Sequence, residues 1–214
     1  MKFSKNDARL LEFCIQELEV RTSAEVVLVI RESSGNYRDI AYLIGAIFSW
    51  VLLLSAIAAP FEIPEYWLPL PMVLIFVLVA WLVNRTASRV WFTSARRLHL
   101  QVAKAAHACF YENKIHLTEA HSGILVYCSF LERQVEIVMD RAAAKALSET
   151  VVQEFRQWII ERLYAGSSHS EQVRGLLEVL RSFGVHLGKV LPPTGQPKLN
   201  ELENAPELGK REDI

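Results

Sequence analysis

IAYLIGAIFSWVLLLSAIAA (Ile40–Ala59) and WLPLPMVLIFVLVAWLV (Trp67–Val83) are two uncharged apolar runs joined by the short linker Pro60–Tyr66. A helix crosses a hydrocarbon layer of about 30 Å in roughly 17–25 residues, so each run is long enough to span. A buried helix of a soluble protein keeps a polar stripe, whereas the first run offers only Tyr42, Ser49 and Ser55. Pro69 and Pro71 fall in the first turn of the second run, where a missing N–H does least harm. Tyr66, Trp67 and Trp81 sit near its ends, where amphipathic rings favour the headgroup layer. The pattern predicts a two-helix transmembrane hairpin over residues 40–85, with spans at about 40–59 and 67–83. It interrupts a soluble domain formed by residues 1–39 and 86–192, and a polar tail, 193–214, follows.

Basic residues near a span resist translocation. Arg31 and Arg38 precede the first run and Arg85, Arg89, Arg96 and Arg97 follow the second, while the linker holds Glu62 and Glu65 and no base. Both termini are therefore expected in the cytoplasm, with the hairpin in the inner (cytoplasmic) membrane. The first twenty residues carry Lys2, Lys5, Asp7, Arg9 and Glu12 and lack the apolar core of a signal peptide. The chain is 51% hydrophobic with a formal net charge of -1, which leaves no global basic field for nucleic acid. Cys14, Cys109 and Cys128 form no Cys-x-x-Cys pair and read as small core thiols in a reducing compartment.

The soluble domain follows from local pattern. Ser4 and Asp7 have capping-box spacing, and Leu10, Leu11, Cys14, Ile15 and Leu18 recur at helical intervals, predicting a helix over about Ser4–Glu19. Val26–Ile30 is a continuous β-rich run of the kind covered on both faces. Residues from Asn84 to Glu112, rich in Ala and Arg, predict one long helix continuing from the second span and coupling it stiffly to the domain. Gly123–Ser129 and Gln134–Asp140 form a hairpin through Phe130–Arg133, the second arm alternating Val135, Ile137 and Met139 with polar residues. Two amphipathic helices follow. One carries Val152, Phe155, Ile159 and Leu163 and stops at Gly166, and the other carries Val173, Leu176, Leu177, Leu180, Phe183 and Leu187. The order predicts strands one and two parallel, strand three antiparallel, in a small mixed sheet covered by helices. Thr22, Ser23, Glu25, His121, Ser122 and Asp140 then share one rim, and Arg31, Glu32 and the Phe130–Arg133 turn the other.

These residues resemble the TPM domain, in particular its bacterial membrane-inserted branch. The resemblance is carried by Thr22-Ser23-Ala24-Glu25, Tyr37-Arg38-Asp39, Thr118 through Gly123, Leu131-Glu132-Arg133-Gln134-Val135-Glu136-Ile137 with Asp140, and the tail Asn200-Glu201-Leu202. It implies a three-layer α/β/α sandwich, usually tied to a membrane, in a family to which calcium binding and phosphatase activity are ascribed. The chain departs from the family pattern at Ala24 (usually Gly), His121-Ser122 (usually Arg-Thr) and Ala142-Ala143 (usually Gly-Ile).

A calcium site wants roughly six to eight oxygens. Glu25 and Asp140 are the carboxylates that the strand order brings to one rim, and with Ser and Thr oxygens they are the candidate metal ligands, with His121 a nearby acid. The plain structural alternative is that Thr22 and Ser23 end a helix, Glu25 pairs with a surface base and Asp140 caps the next segment. Gly-x-Ser-x-Gly, His-Glu-x-x-His and Gly-x-x-x-x-Gly-Lys are absent, and the six His include no i, i+4 pair. The Arg85–Arg97 series is accounted for by topology, and Gly45 with Ser49 suits either hairpin self-packing or another span. The reading is a membrane-anchored cytoplasmic domain acting as a non-catalytic binding or assembly module for another membrane protein. The alternative is a calcium-binding domain with phosphatase activity.

Overall fold

The computed structural model describes residues 4–60, 64–86, 88–118, 120–165, 168–193 and 206–209. In chain order the elements are α1 (Lys5–Val20), β1 (Glu25–Arg31), α2 (Arg38–Ile57), α3 (Pro69–Arg85), α4 (Ser88–Trp91) and α5 (Ala95–Glu112). They continue with β2 (Gly123–Ser129), β3 (Gln134–Met139), α6 (Arg141–Ala146), α7 (Glu149–Ala165), α8 (His169–Val190) and β4 (Glu207–Gly209). The chain divides into two compact units, Met1–Ser34 with His99–Ile214, and Gly35–Leu98.

The larger unit is a mixed α/β domain on a small sheet of order β3-β2-β1-β4. β1 and β2 pair in parallel from Glu25↔Gly123 to Arg31↔Ser129. β3 runs antiparallel to β2. The tail returns to add the three-residue β4 beside Val29–Arg31, so it contributes a docked strand, while Asn200-Glu201-Leu202 lies outside the described residues.

Strand alternation sorts the core into two clusters. Val26, Leu28, Ile30, Ile124, Val126 and Cys128 pack with Leu11 and Ile15 of α1, Ile159 and Leu163 of α7 and Leu176 and Leu180 of α8. Val27, Val29, Leu125, Tyr127 and Val138 pack with Val102, Ala106, Cys109 and Phe110 of α5 and with Ile115. Each such fully buried aliphatic side chain stabilises the fold by about 1.5–3 kcal/mol relative to exposure. The edge strand β3 keeps Gln134 and Glu136 partly exposed, yet Val138 is buried because it meets the second cluster.

α1 begins as its sequence predicts: Ser4 and Asp7 close a capping box, with Ser4 N donating to Asp7 Oδ2 at 2.7 Å. α7 and α8 match their predicted stripes, and Ser168 and Glu171 form a second capping box. Gly166, the expected stop of α7, lies outside the described residues. All three cysteines are buried free thiols, and burial pushes Cys128 up to about 12, so it stays an inert thiol.

In the smaller unit α2 and α3 pack as a helical hairpin. Gly45 and Ser49 face α3: a Cβ on Gly45 would lie 2.9 Å from Phe76 O, and Ser49 Oγ donates to Met72 O at 3.1 Å. The small-residue spacing therefore serves packing within the hairpin. Among the described residues one helix, Arg38–Ile57, is long and apolar enough to cross a membrane, while Pro69–Arg85 is a shorter apolar helix of 17 residues. Pro69 takes the first helical position, as expected.

The single long helix predicted over Asn84–Glu112 is corrected. α3 ends at Arg85, Thr86 is extended (ψ 159°), and Phe92–Ser94 separates α4 from α5. Hydroxyls compete with the helical ladder at both breaks. Thr86 Oγ1 donates to Leu82 O (3.1 Å), Thr93 Oγ1 donates to Arg89 O (2.8 Å), and Ser94 Oγ accepts from Arg97 N (3.4 Å) as the cap of α5. The continuous helix expected over that stretch is thus absent.

Gly123 is the one strand residue that backbone proximity demands. It lies on the α5 side of the sheet, and a Cβ there would fall onto the carbonyl oxygen of Ile115. Gly123→Ala is expected to lose about 1–3 kcal/mol of stability, the range for overpacking, read as a lowered denaturation midpoint of the full chain in detergent.

Candidate functional site

The predicted rim residues do assemble at one end of the sheet, and Thr22, Ser23, Ser122 and Asp140 are held there by hydrogen bonds within the domain. Thr22 Oγ1 donates to Leu191 O at 2.7 Å and accepts from Ala24 N at 3.2 Å, and Ser23 N donates to the same carbonyl at 3.0 Å. Thr22 and Ser23 thereby tie the start of β1 to the end of α8. Ser122 Oγ donates to Ser23 O at 2.8 Å. Its hydroxyl is thus committed to the backbone.

Glu25 and Asp140 flank Gly123 on opposite sides. Glu25 is its register partner in β1, and Asp140 N donates to Gly123 O at 2.9 Å. Two strand spacings separate their backbones by roughly 10 Å. Glu25 is only 2% exposed, a buried carboxylate at the start of β1. Strand alternation puts it on the same face as Gly123, where Ile115 crosses closely. Asp140 caps α6: Oδ1 accepts from Arg141 N at 2.7 Å, and Oδ2 lies 3.2 Å from His121 Nδ1. His121 is exposed and adopts a left-handed backbone (φ 47°), held by Ala142 N donating to its carbonyl at 2.9 Å. Among the described residues no group of three or more His, Cys, Asp or Glu is placed to hold a metal ion.

The opposite rim holds a buried polar cluster that local sequence pattern did not single out. Glu132, 4% exposed in the β2–β3 turn, accepts from Ser34 N (2.9 Å) and Ser33 Oγ (3.3 Å) through Oε1 and from Ser129 Oγ through Oε2. Ser34 Oγ in turn donates to Ser129 Oγ at 2.6 Å and lies 3.0 Å from the Tyr127 hydroxyl. Tyr164 donates from α7 to Ser129 O (2.7 Å) and Gln134 O (3.2 Å). Burial pushes both phenols, Tyr127 and Tyr164, above their ordinary range, so they act as neutral hydrogen-bonding groups. The only sequence signal was Glu132 inside a short turn, where a carboxylate ordinarily faces water.

A third buried carboxylate serves β1 directly. Glu19 Oε1 accepts from Val26 N at 2.9 Å, at the end of β1 that β4 does not reach. Buried backbone donors need such partners.

The chemistry of the second rim is therefore that of a clasp. Removing the Glu132 carboxylate leaves buried donors without an acceptor, and Glu132→Ala is expected to lose roughly 2–3 kcal/mol of stability. Glu132→Gln should recover part of that loss in the same thermal melts.

No family model and no curated protein matches the sequence. Among solved structures the chain is similar to the NMR structure of the BA42 protein from the psychrophilic bacteria Bizionia argentinensis, with a TM-score of 0.54 and 14% identity. The likeness covers 97% of this chain and 95% of that one. At that identity it speaks for the fold alone, a helix-rich mixed α/β architecture.

Proposed function

We propose that this chain is a TPM-like protein of the inner membrane: a three-layer α/β/α sandwich interrupted by a two-helix transmembrane hairpin, with both termini cytoplasmic. Its domain acts as a non-catalytic binding or assembly module for another membrane protein. The observation that carries the reading is the outer surface of the hairpin. Leu43, Ile47, Trp50 and Leu54 of α2 and Leu70, Leu74, Val77 and Trp81 of α3 are all about half exposed or more. Only 11% of the apolar window of α2 is buried. A core helix of a soluble protein hides such side chains, whereas a bilayer takes them from water. Basic residues on both flanks and Glu62 and Glu65 between the helices support the orientation.

A partner surface is offered by α1, which is apolar on two sides. Leu11, Cys14, Ile15 and Leu18 are buried, while Leu10 (53% exposed), Phe13 (62%) and Val20 (78%) line its outer side at helical spacing. Such a row at a surface marks an interaction site. A photo-crosslinker at Phe13, in membranes washed with alkaline carbonate, is expected to trap a membrane protein that Phe13→Glu no longer retains. As a surface change, Phe13→Glu should move stability by less than about 0.5 kcal/mol. Release of the chain by carbonate, or trapping indifferent to Phe13→Glu, would remove the reading.

The second reading, a calcium-binding domain with phosphatase activity, draws on the resemblance and on the rim shared by Glu25, Asp140 and the His121 imidazole. A cation that binds only the native state raises its melting temperature. On this reading calcium raises the melting temperature of the parent, and Glu25→Gln and Asp140→Asn each abolish that shift along with phosphomonoester hydrolysis. An identical response in all three proteins excludes these two carboxylates as ligands.

A further inference from the structure

We infer that α4 and Phe92, with Arg85 and Arg96, form an interfacial foot that binds the anionic headgroup layer of the bilayer. The inference rests on the membrane reading of the hairpin. Four observations within the Gly35–Leu98 unit carry it.

The chain leaves helical geometry immediately after Arg85, makes the four-residue helix Ser88–Trp91 and resumes as α5 at Ala95. That break places two adjacent aromatic residues on the outside. Trp91 is 87% exposed, more than any other large apolar side chain among the described residues, and Phe92 is 64% exposed. A soluble surface has no use for this pair, while an indole and a phenyl ring at the level where a span ends fit the boundary between acyl chains and headgroups.

Charge selects the kind of lipid. From Tyr66 to Tyr111 the sequence contains no Asp or Glu, and Arg85, Arg89, Arg96 and Arg97 all fall inside that stretch. Two of the four are committed internally: Arg89 Nη1 lies 3.1 Å from Asn84 Oδ1, and Arg97 pairs with Asp39 at 2.7 Å. Arg85 and Arg96 are exposed. Arg85 lies over the Trp81 ring at 4.8 Å, a stacked aromatic–guanidinium pair at the end of the span. Guanidinium groups suit phosphate oxygens, and anionic leaflets attract juxtamembrane bases.

The foot is also held in place. Arg97, in the first turn of α5, meets Asp39 in the first turn of α2 and lies 5.8 Å from the Tyr37 ring. Together with the covalent link to α3, this pair brackets α4 from both sides, so the aromatic pair is presented at the hairpin's open end. The Arg89–Asn84 contact fastens α4 back onto the last turn of α3.

The test uses the full chain in nanodiscs of phosphatidylcholine, alone or mixed with phosphatidylglycerol, containing lipids brominated near the headgroup. Trp91→Phe and Trp81→Phe proteins isolate each tryptophan's emission by difference. In anionic discs most of the Trp91 component should be quenched by bromine and shielded from aqueous iodide. That quenching should fall in neutral discs and in the Arg85→Gln/Arg96→Gln protein. If bromine quenches the Trp81 component while Trp91 remains open to iodide, the foot is overturned and the hairpin stands. If bromine reaches neither ring, foot and membrane hairpin fall together. Equal quenching of Trp91 in neutral and anionic discs overturns the preference for anionic headgroups.

Discussion

The parallel pairing of Glu25–Arg31 with Gly123–Ser129 constrains everything else in this chain. Parallel neighbours oblige the chain to travel from the end of one strand back to the rim where the other begins. An ordinary crossover does this with a single helix. Here residues 32–122 contain α2, α3 and α4 before α5 supplies the crossover that covers the sheet. The departure point at Ser33–Ser34 is thus the place where a short connection has been replaced by a long one. Glu132 answers that need: it grips both serines from the β2–β3 turn and links them to Ser129 and Tyr127. The bonds from Ser33 and Ser34 to Glu132 and from Ser34 to Ser129 join residues far apart in sequence, so they hold the exit of β1 to the β2–β3 hairpin.

Local chemistry was legible where a signal and its partner lie close together. The Ser4–Asp7 box and the turn at Phe130–Arg133 have their partners within a few residues, the Val26–Ile30 run is marked by its own β-rich composition, and each is where the pattern placed it. The Asn84–Glu112 stretch misled because Ala and Arg favour helix at every position, and the breaks come from Thr86, Thr93 and Ser94, hydroxyl residues that are only mildly unfavourable in a helix. The burial of Glu25 was illegible for another reason. Glu25 sits beside Gly123, ninety-eight positions away in sequence, and no local pattern announces that pairing.

Three carboxylates of the domain serve as structural fasteners. Asp140 accepts the first N–H of α6, Glu19 accepts a strand N–H beyond the reach of β4, and Glu132 accepts three donors at once. Backbone donors at element ends are always present and must be satisfied, whereas a cation site needs several oxygens left over after that demand is met. The same demand leaves the His121–Asp140 contact as a brace on an exposed ring, with the Asp carboxylate turned toward α6.

The proposed membrane role accounts for a feature of the hairpin that water would not require. Its two serine hydroxyls in α2 both find carbonyl acceptors, Ser49 across to Met72 and Ser55 back to Val51. In water either hydroxyl is satisfied at no cost, but in hydrocarbon an unpaired one is expensive. Size is sorted too: Gly45, Ser49 and Ala80 are small buried positions in the two helices, Phe76 packs over Gly45 and stacks on Tyr42, and many of the other bulky side chains are exposed. The 17 residues of α3 rise about 25 Å, a few ångströms short of an average hydrocarbon layer. The turn Glu65–Trp67 lengthens it at one end and the Arg85–Trp81 pair marks the other, and such anchors are how a short span meets a thicker bilayer. On the proposed membrane role, aromatic residues at both ends of the shorter helix suit its length, because they would tie the depth of the hairpin to the position of the interface.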